Sequence, residues 1–112
     1  MICLAFEKHV WGCKYLLHED KNYKIIRIEL NAACRLSNQF HEKRSETLTI
    51  VEGEAFVSLN DEHFLVHAGE CVHIPVGVIH TIENKINKKL IFIETQTGTY
   101  CGEDDLKIVD GF

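Results

Sequence analysis

Gly69-Glu70-Cys71-Val72-His73-Ile74-Pro75-Val76-Gly77-Val78-Ile79-His80-Thr81-Ile82-Glu83-Asn84 is the stretch that decides the reading of this chain. Ala68-Gly69 turns the chain into a short strand, Cys71 to Ile74. Pro75-Val76-Gly77 ends that strand, because proline cannot donate to a ladder and glycine relaxes the backbone. His80 is then delivered just after the turn, with its spacing to Gly69, Pro75 and Gly77 set by the turn chemistry.

Working outward, the chain reads as short strands. Tyr23 to Leu30 alternates as a half-buried strand does. Glu46 to Val51 is β-branched and apolar, and Glu52-Gly53 follows as a turn. Ala55 to Leu59 and His63 to Val66 flank Asn60-Asp61 as a hairpin, and the fifteen residues between Gly53 and Gly69 suit one such hairpin. Lys89 to Thr95 is an apolar-centred strand. No helical periodicity is sustained over ten residues. Many short strands with turn signals between them mean a sandwich or barrel.

The chain has 112 residues, of which 46% are hydrophobic, enough for one core. Residues 1–112 are expected to form a single domain. The formal net charge of −5, with both signs interspersed, argues against a nucleic-acid surface. No apolar run is long enough to span a membrane, and Met1 to Phe6 is too short for a signal-peptide core. Five cysteines (Cys3, Cys13, Cys34, Cys71, Cys101) with no framework spacing point to reduced thiols, most of them small core residues, in a cytoplasmic protein.

Gly69-x5-Pro75-x-Gly77-x2-His80-x3-Asn84 matches the second signature of the cupin superfamily gap for gap. Gln39-x-His41-x4-Glu46-x6-Gly53 fits the spacing of the first, with Gln39 where most cupins have histidine. The resemblance implies an all-β cupin, a double-stranded β-helix or jelly-roll barrel, with one metal site. Strand parity puts Gln39 and His41 on one face. A turn over 42–45 brings in Glu46 on the next strand, and His80 arrives from the turn after Gly77. Gln39, His41, Glu46 and His80 are therefore the candidate metal ligands. Two imidazoles, a carboxylate and an amide oxygen suit a divalent metal, zinc first, with manganese, iron or cobalt as alternatives. His9, His18, His63 and His67 lack such spacing and read as ordinary. His73 is read as a possible neighbour of the site.

The resemblance narrows at three further places. Val10-Trp11-Gly12 with Tyr15 resembles the opening of the type II phosphomannose isomerase domain. Ala33-Cys34-Arg35-Leu36-Ser37-x-Gln39-x-His41 resembles that domain's Gly-Ala-Arg-Leu-Ser-x-Gln-x-His. Ile93 to Leu106 resembles its Ile-Glu-Val-Gln-Ser-Gly-x-Tyr-x-Gly-Glu-Asp-Asp-Ile tail. Such domains usually form the C-terminal part of bifunctional mannose-1-phosphate guanylyltransferases. Here the domain is expected to stand alone.

The resemblance implies a metal-dependent aldose–ketose isomerase. It would interconvert mannose 6-phosphate and fructose 6-phosphate through a cis-enediol. Arg44, Lys43 and Arg35 are the candidates for holding the anionic sugar phosphate, and the general base is not identified. A homodimer is expected by analogy, with the Trp11 opening and the 100–106 tail packed either across it or within one chain.

Three departures from the family pattern concern the rim. His41 is followed by Glu42-Lys43 rather than two histidines, and His80 by Thr81 rather than arginine. Ala32-Ala33 replaces Pro-Gly. The altered rim motivates two rivals: a non-catalytic sugar- or nucleotide-sugar-binding cupin, and another cupin metalloenzyme such as an epimerase or dioxygenase.

Overall fold

The computed structural model describes residues 3–109. Residues 1–2 and 110–112 of the expected 1–112 domain, with Met1 of the signal-peptide reading, lie outside the described residues. Among the described residues eleven strands form two antiparallel sheets. The first sheet has the order β1 (Ala5–His9), β2 (Gly12–Glu19), β3 (Tyr23–Leu30), β10 (Leu90–Gly98), β5 (Arg44–Glu52), β8 (Cys71–Ile74). The second has β11 (Lys107–Ile108), β4 (Gln39–Phe40), β9 (His80–Glu83), β6 (Glu54–Leu59), β7 (Glu62–His67). A single 3-10 turn, Glu103–Asp105, is the one helical element among the described residues.

The strands read from alternation are present. The Pro75–Gly77 turn carries the chain from β8 in the first sheet to β9 in the second. Gly69 (φ 90°) and Gly77 (φ 81°) both occupy the left-handed region that glycine adopts at no steric cost. The Gly77 N–H donates to the His41 carbonyl at 2.8 Å. The turn that delivers His80 is thus tied to the loop that delivers His41.

The core lies between the sheets. Ile26, Ile28 and Leu30 of β3, Leu48 and Ile50 of β5, Val57 of β6, Ile82 of β9, and Leu90 and Phe92 of β10 are all buried in it. Burying each of the larger ones contributes about 1.5–3 kcal/mol. Asn84, closing the quoted stretch, is fully buried. Its amide donates to the carbonyls of Leu30 (3.0 Å) and Lys88 (2.7 Å), and its oxygen accepts from the Ile86 N–H (3.3 Å). It is a fastener between loop and core, not part of the chemistry.

Two inward rows change character part-way along. On β5 the buried inward positions run Arg44, Glu46, Leu48, Ile50. On β10 the inward positions run Leu90, Phe92, Glu94, Gln96, all buried except the half-buried Glu94. Since side chains alternate, each strand turns the same face inward throughout. One end of the barrel is therefore apolar and filled, and the other is polar and hollow.

Ala33 sits in a turn at φ 62°, where the family pattern has glycine. A left-handed alanine costs roughly 1–2 kcal/mol, partly offset by the entropy that glycine loses on folding. Ala33→Gly is expected to stabilise the protein by about 0.5–1 kcal/mol, raising the melting temperature by roughly 3–5 °C. Calorimetry checks this, and an unchanged or lower midpoint contradicts it.

Of the cysteines, all free, Cys101 is buried, Cys34 packs against the core and Cys71 is exposed, so the core reading holds for fewer of them than expected.

Candidate metal centre

Three of the four sequence-chosen ligands meet at the hollow end. His41 lies in the crossing from β4 to β5, Glu46 on β5 and His80 at the start of β9. One donor atom from each lies within 4.8 Å of the others, and all three residues are buried. The His41 Nε2 is 3.1 Å from Glu46 Oε2, and the His80 Nε2 is 3.4 Å from Glu46 Oε1. Gln39 lines the same cavity, its Cα registered opposite that of His80.

Each imidazole is oriented from behind. His41 Nδ1 lies 2.9 Å from the Asp105 carbonyl and His80 Nδ1 lies 3.0 Å from the Val78 carbonyl. A carbonyl only accepts, so both Nδ1 atoms carry the proton and both Nε2 atoms offer a lone pair to the centre. The His80 Nε2 is buried and makes no hydrogen bond.

These residues fit a divalent ion. Donors about 2.0–2.2 Å from one ion stand roughly 3–3.5 Å apart when adjacent, matching the observed separations. The orphaned His80 nitrogen is a donor without a proton to receive. Burial opposes ionisation of Glu46, but its contacts with His41 and His80 outweigh it and hold the carboxyl well below its usual range. Burial likewise disfavours charging His80, yet its contact with Glu46 leaves it above the ordinary histidine value.

The cavity beside the cluster has a volume of about 210 Å³. Arg44 and Lys14 place the cations on its wall. Arg44 is buried at the start of β5, not in a turn: strand pairing with β10 begins there, so the break over 42–43 is shorter than expected. Its Nε lies 3.4 Å from Glu46 Oε2 and its Nη1 donates to the Gly102 carbonyl at 3.0 Å. Lys14 donates to Glu103 at 2.9 Å.

Two candidates fall elsewhere. Lys43 points away from the cavity, with Nζ 5.3 Å over the Tyr100 ring, beside Glu42, Asp104 and Lys107 in a separate depression. Arg35 is exposed and does not line the cavity. The chain from Arg35 to Gln39 is not a continuous strand but a single bridge, Arg35 to Glu83, followed by coil, so strand parity does not carry between them. His73 also lies outside, exposed and bonded to Thr47 at 3.1 Å. His9, read as ordinary, instead lines the cavity and stacks on Trp11 with ring centroids 4.5 Å apart.

Four further residues were not singled out by sequence reasoning. Lys14 and Glu94 line the cavity, and Gln96 does so from β10 with 2% exposure. Asp105 is buried behind His41 and accepts the backbone N–H groups of Glu42 (3.1 Å) and Lys43 (2.9 Å) on its carboxylate. Burial and the Glu46 charge push the Glu94 carboxyl up to about 7, against the pull of Gln96, Arg44 and Lys14. Counting inward positions along β10 past Phe92 would have found Glu94 and Gln96.

Two antiparallel sheets with a His–Glu–His cluster in the hollow end define a cupin. The fold matches a Klebsiella pneumoniae protein with a double-stranded β-helix domain (TM-score 0.77, 15% identity, 88% of this chain and 84% of that one). It also matches KdgF from Halomonas (TM-score 0.80, 12% identity, 89% and 91%). Within that class, the chain belongs to the mannose-6-phosphate isomerase C-terminal family, whose model matches residues 6–111. It is 33% identical over 96 residues to a mannose-1-phosphate guanylyltransferase of Salmonella muenchen. It is 32% identical over 97 residues to the alginate biosynthesis protein AlgA of Pseudomonas aeruginosa. These matches cover 86% and 87% of the chain but only 20% of either relative, so the chain spans about a fifth of their length. No helix among the described residues is long and apolar enough to cross a membrane.

Proposed function

We propose that the protein is a metal-dependent aldose–ketose isomerase of sugar phosphates, interconverting mannose 6-phosphate and fructose 6-phosphate. The observation that carries this reading is a His–Glu–His cluster two of whose members line a cavity that also holds Lys14 and Arg44. Gln39, His41, Glu46 and His80 would hold the metal, zinc by its N/O donor mixture, with manganese, cobalt or iron as the other candidates. When bound, the ion would polarise substrate oxygens and offset developing negative charge. Arg44 and Lys14 supply the cations for an anionic substrate, with Arg44 offering the planar fork that suits phosphate. A cavity of about 210 Å³ is smaller than the roughly 300–1,000 Å³ that larger ligands occupy, which favours one sugar over a nucleotide sugar. The cytoplasmic setting and the homodimer belong to the same proposal.

The rival reading of a non-catalytic binder rested on the changed rim. Glu42 and Lys43 line the separate depression. The Thr81 hydroxyl donates to the Leu36 carbonyl at 2.7 Å and does not line the cavity. Glu42, Lys43 and Thr81 therefore do not line this cavity, which supports the isomerase reading over the rival.

The test is conversion of mannose 6-phosphate to fructose 6-phosphate by protein loaded with zinc, manganese or cobalt, against a chelated control. Metal-dependent turnover is expected. Folded, metal-loaded protein without turnover on any of the three metals overturns the proposal.

A further inference from the structure

Four carboxylates line the cavity: Glu7, Glu46, Glu94 and Glu103. Three are committed elsewhere. Glu46 faces both imidazoles. Glu103 accepts from Lys14 at 2.9 Å. Glu7 is exposed and pairs with His9 at 2.9 Å. Glu94 differs in being held by a neutral group, accepting a hydrogen bond from Gln96 Nε2 at 2.7 Å. A carboxylate held by an amide can take and release a proton without breaking an ion pair.

Gln96 adds an independent observation. A carboxylate only accepts, so the contact with Glu94 fixes Nε2 on that side and turns Oε1 away. That oxygen is buried and has no hydrogen-bond partner. Leaving a buried acceptor orphaned is costly, and a donor on a bound molecule would relieve it. Gln96 is registered opposite Glu46, so this oxygen belongs to the strand beside the metal cluster. Glu94 lies one inward position, about 7 Å, nearer the apolar core. It is half-buried and lines the cavity, and its partial burial favours its taking up a proton.

We propose that Glu94 is the catalytic residue that carries the proton between C1 and C2 of the sugar, and that Gln96 is the positioning residue that holds it and accepts a sugar hydroxyl. This rests on the isomerase reading. The Glu94 carboxylate takes the proton from C2 of the aldose. The C2–H electron pair becomes the C1=C2 bond of the enediol, while the carbonyl pair moves to O1, which is protonated. In the second half O2 loses its proton, the C2=O bond forms, and Glu94 returns its proton to C1. One proton moves from C2 to C1 and one from O2 to O1, with no external oxidant or reductant.

The experiment uses metal-loaded wild type, Glu94→Gln, Glu94→Asp and Gln96→Met with mannose 6-phosphate in deuterated water. NMR reads exchange at C2, alongside kcat, KM, metal content and melting temperature. Glu94→Gln keeps the acceptor for Gln96 but removes the base. It is expected to lose about 10²- to 10⁴-fold in kcat and exchange, with metal content and KM little changed. Glu94→Asp keeps the carboxylate, drawn back by one methylene, and is expected to fall between. Gln96→Met is expected to raise KM several-fold and lower kcat without lowering the melting temperature; a merely structural glutamine would do the reverse. Metal-loaded Glu94→Gln that exchanges at the wild-type rate overturns the assignment and leaves the isomerase reading standing. No exchange in the wild type overturns both.

Discussion

Glu46→Gln will leave a folded protein that no longer retains its metal and no longer turns over. Glu46 faces both imidazoles, one carboxylate oxygen to each. Glutamine keeps the shape but supplies one oxygen, no charge, and an amide N–H₂ that would point a donor at one of the two lone pairs. Substitutions behind metal ligands cost about 10- to 100-fold in affinity, so loss of the shared anionic ligand itself should exceed roughly 100-fold. Turnover should fall by about 10³-fold or more, since several kcal/mol of charge stabilisation are lost with the ion and each 1.4 kcal/mol is tenfold. The fold should survive, because the apolar row of Leu48, Ile50, Leu90 and Phe92 begins beyond the site and is fully buried. Metal analysis after dialysis, circular dichroism and the isomerase assay check this together. A variant that retains stoichiometric metal and activity contradicts the assignment of Glu46 as a ligand.

That separation of filled and hollow halves also explains what could be read from sequence. Turn residues and alternation act over four to eight residues, and the strands they define are there, with the Pro75–Gly77 turn between the sheets. The cluster His41–Glu46–His80 was legible because glycine and proline fix where the turns fall, and the turns fix the spacing. Arg35 was misplaced because parity was extended through chain that is not strand, and Lys43 because its place between two ligands does not fix which way it points. Glu94 and Gln96 went unread for the opposite reason. Lys89 to Thr95 was treated as one apolar strand, although its inward row changes from Phe92 to Glu94 within a single step. Lys14 and His9 sit on β2 and β1, whose weak burial leaves little hydrophobic pattern to follow. Asp105 could not be found by any local pattern. Its partners Glu42 and Lys43 lie more than sixty residues away, and only the folded chain brings them together.

Asp105 carries the second large effect. Its carboxylate accepts two backbone N–H groups from the loop over 42–43, and its main-chain carbonyl receives the His41 Nδ1 proton. One residue thus sets both the path of the loop after His41 and the tautomer of the ring. Burial works against its ionisation, but the two N–H donors, with the charges of Arg44 and His41, keep its carboxyl below the ordinary aspartate range. Asp105→Ala removes both charge-assisted bonds, each worth about 1.5–3 kcal/mol, and leaves two donors to find water. A loss of roughly 3 kcal/mol in stability is expected, together with a 10- to 100-fold loss in metal affinity although Asp105 touches no metal. Asp105→Asn, with one acceptor oxygen left, should lose less on both counts. Denaturant unfolding of the metal-free protein separates the stability effect from a competitive chelator titration of the metal. If Asp105→Ala binds metal as tightly as the wild type, the loop does not position His41 and the ring is held by the barrel alone.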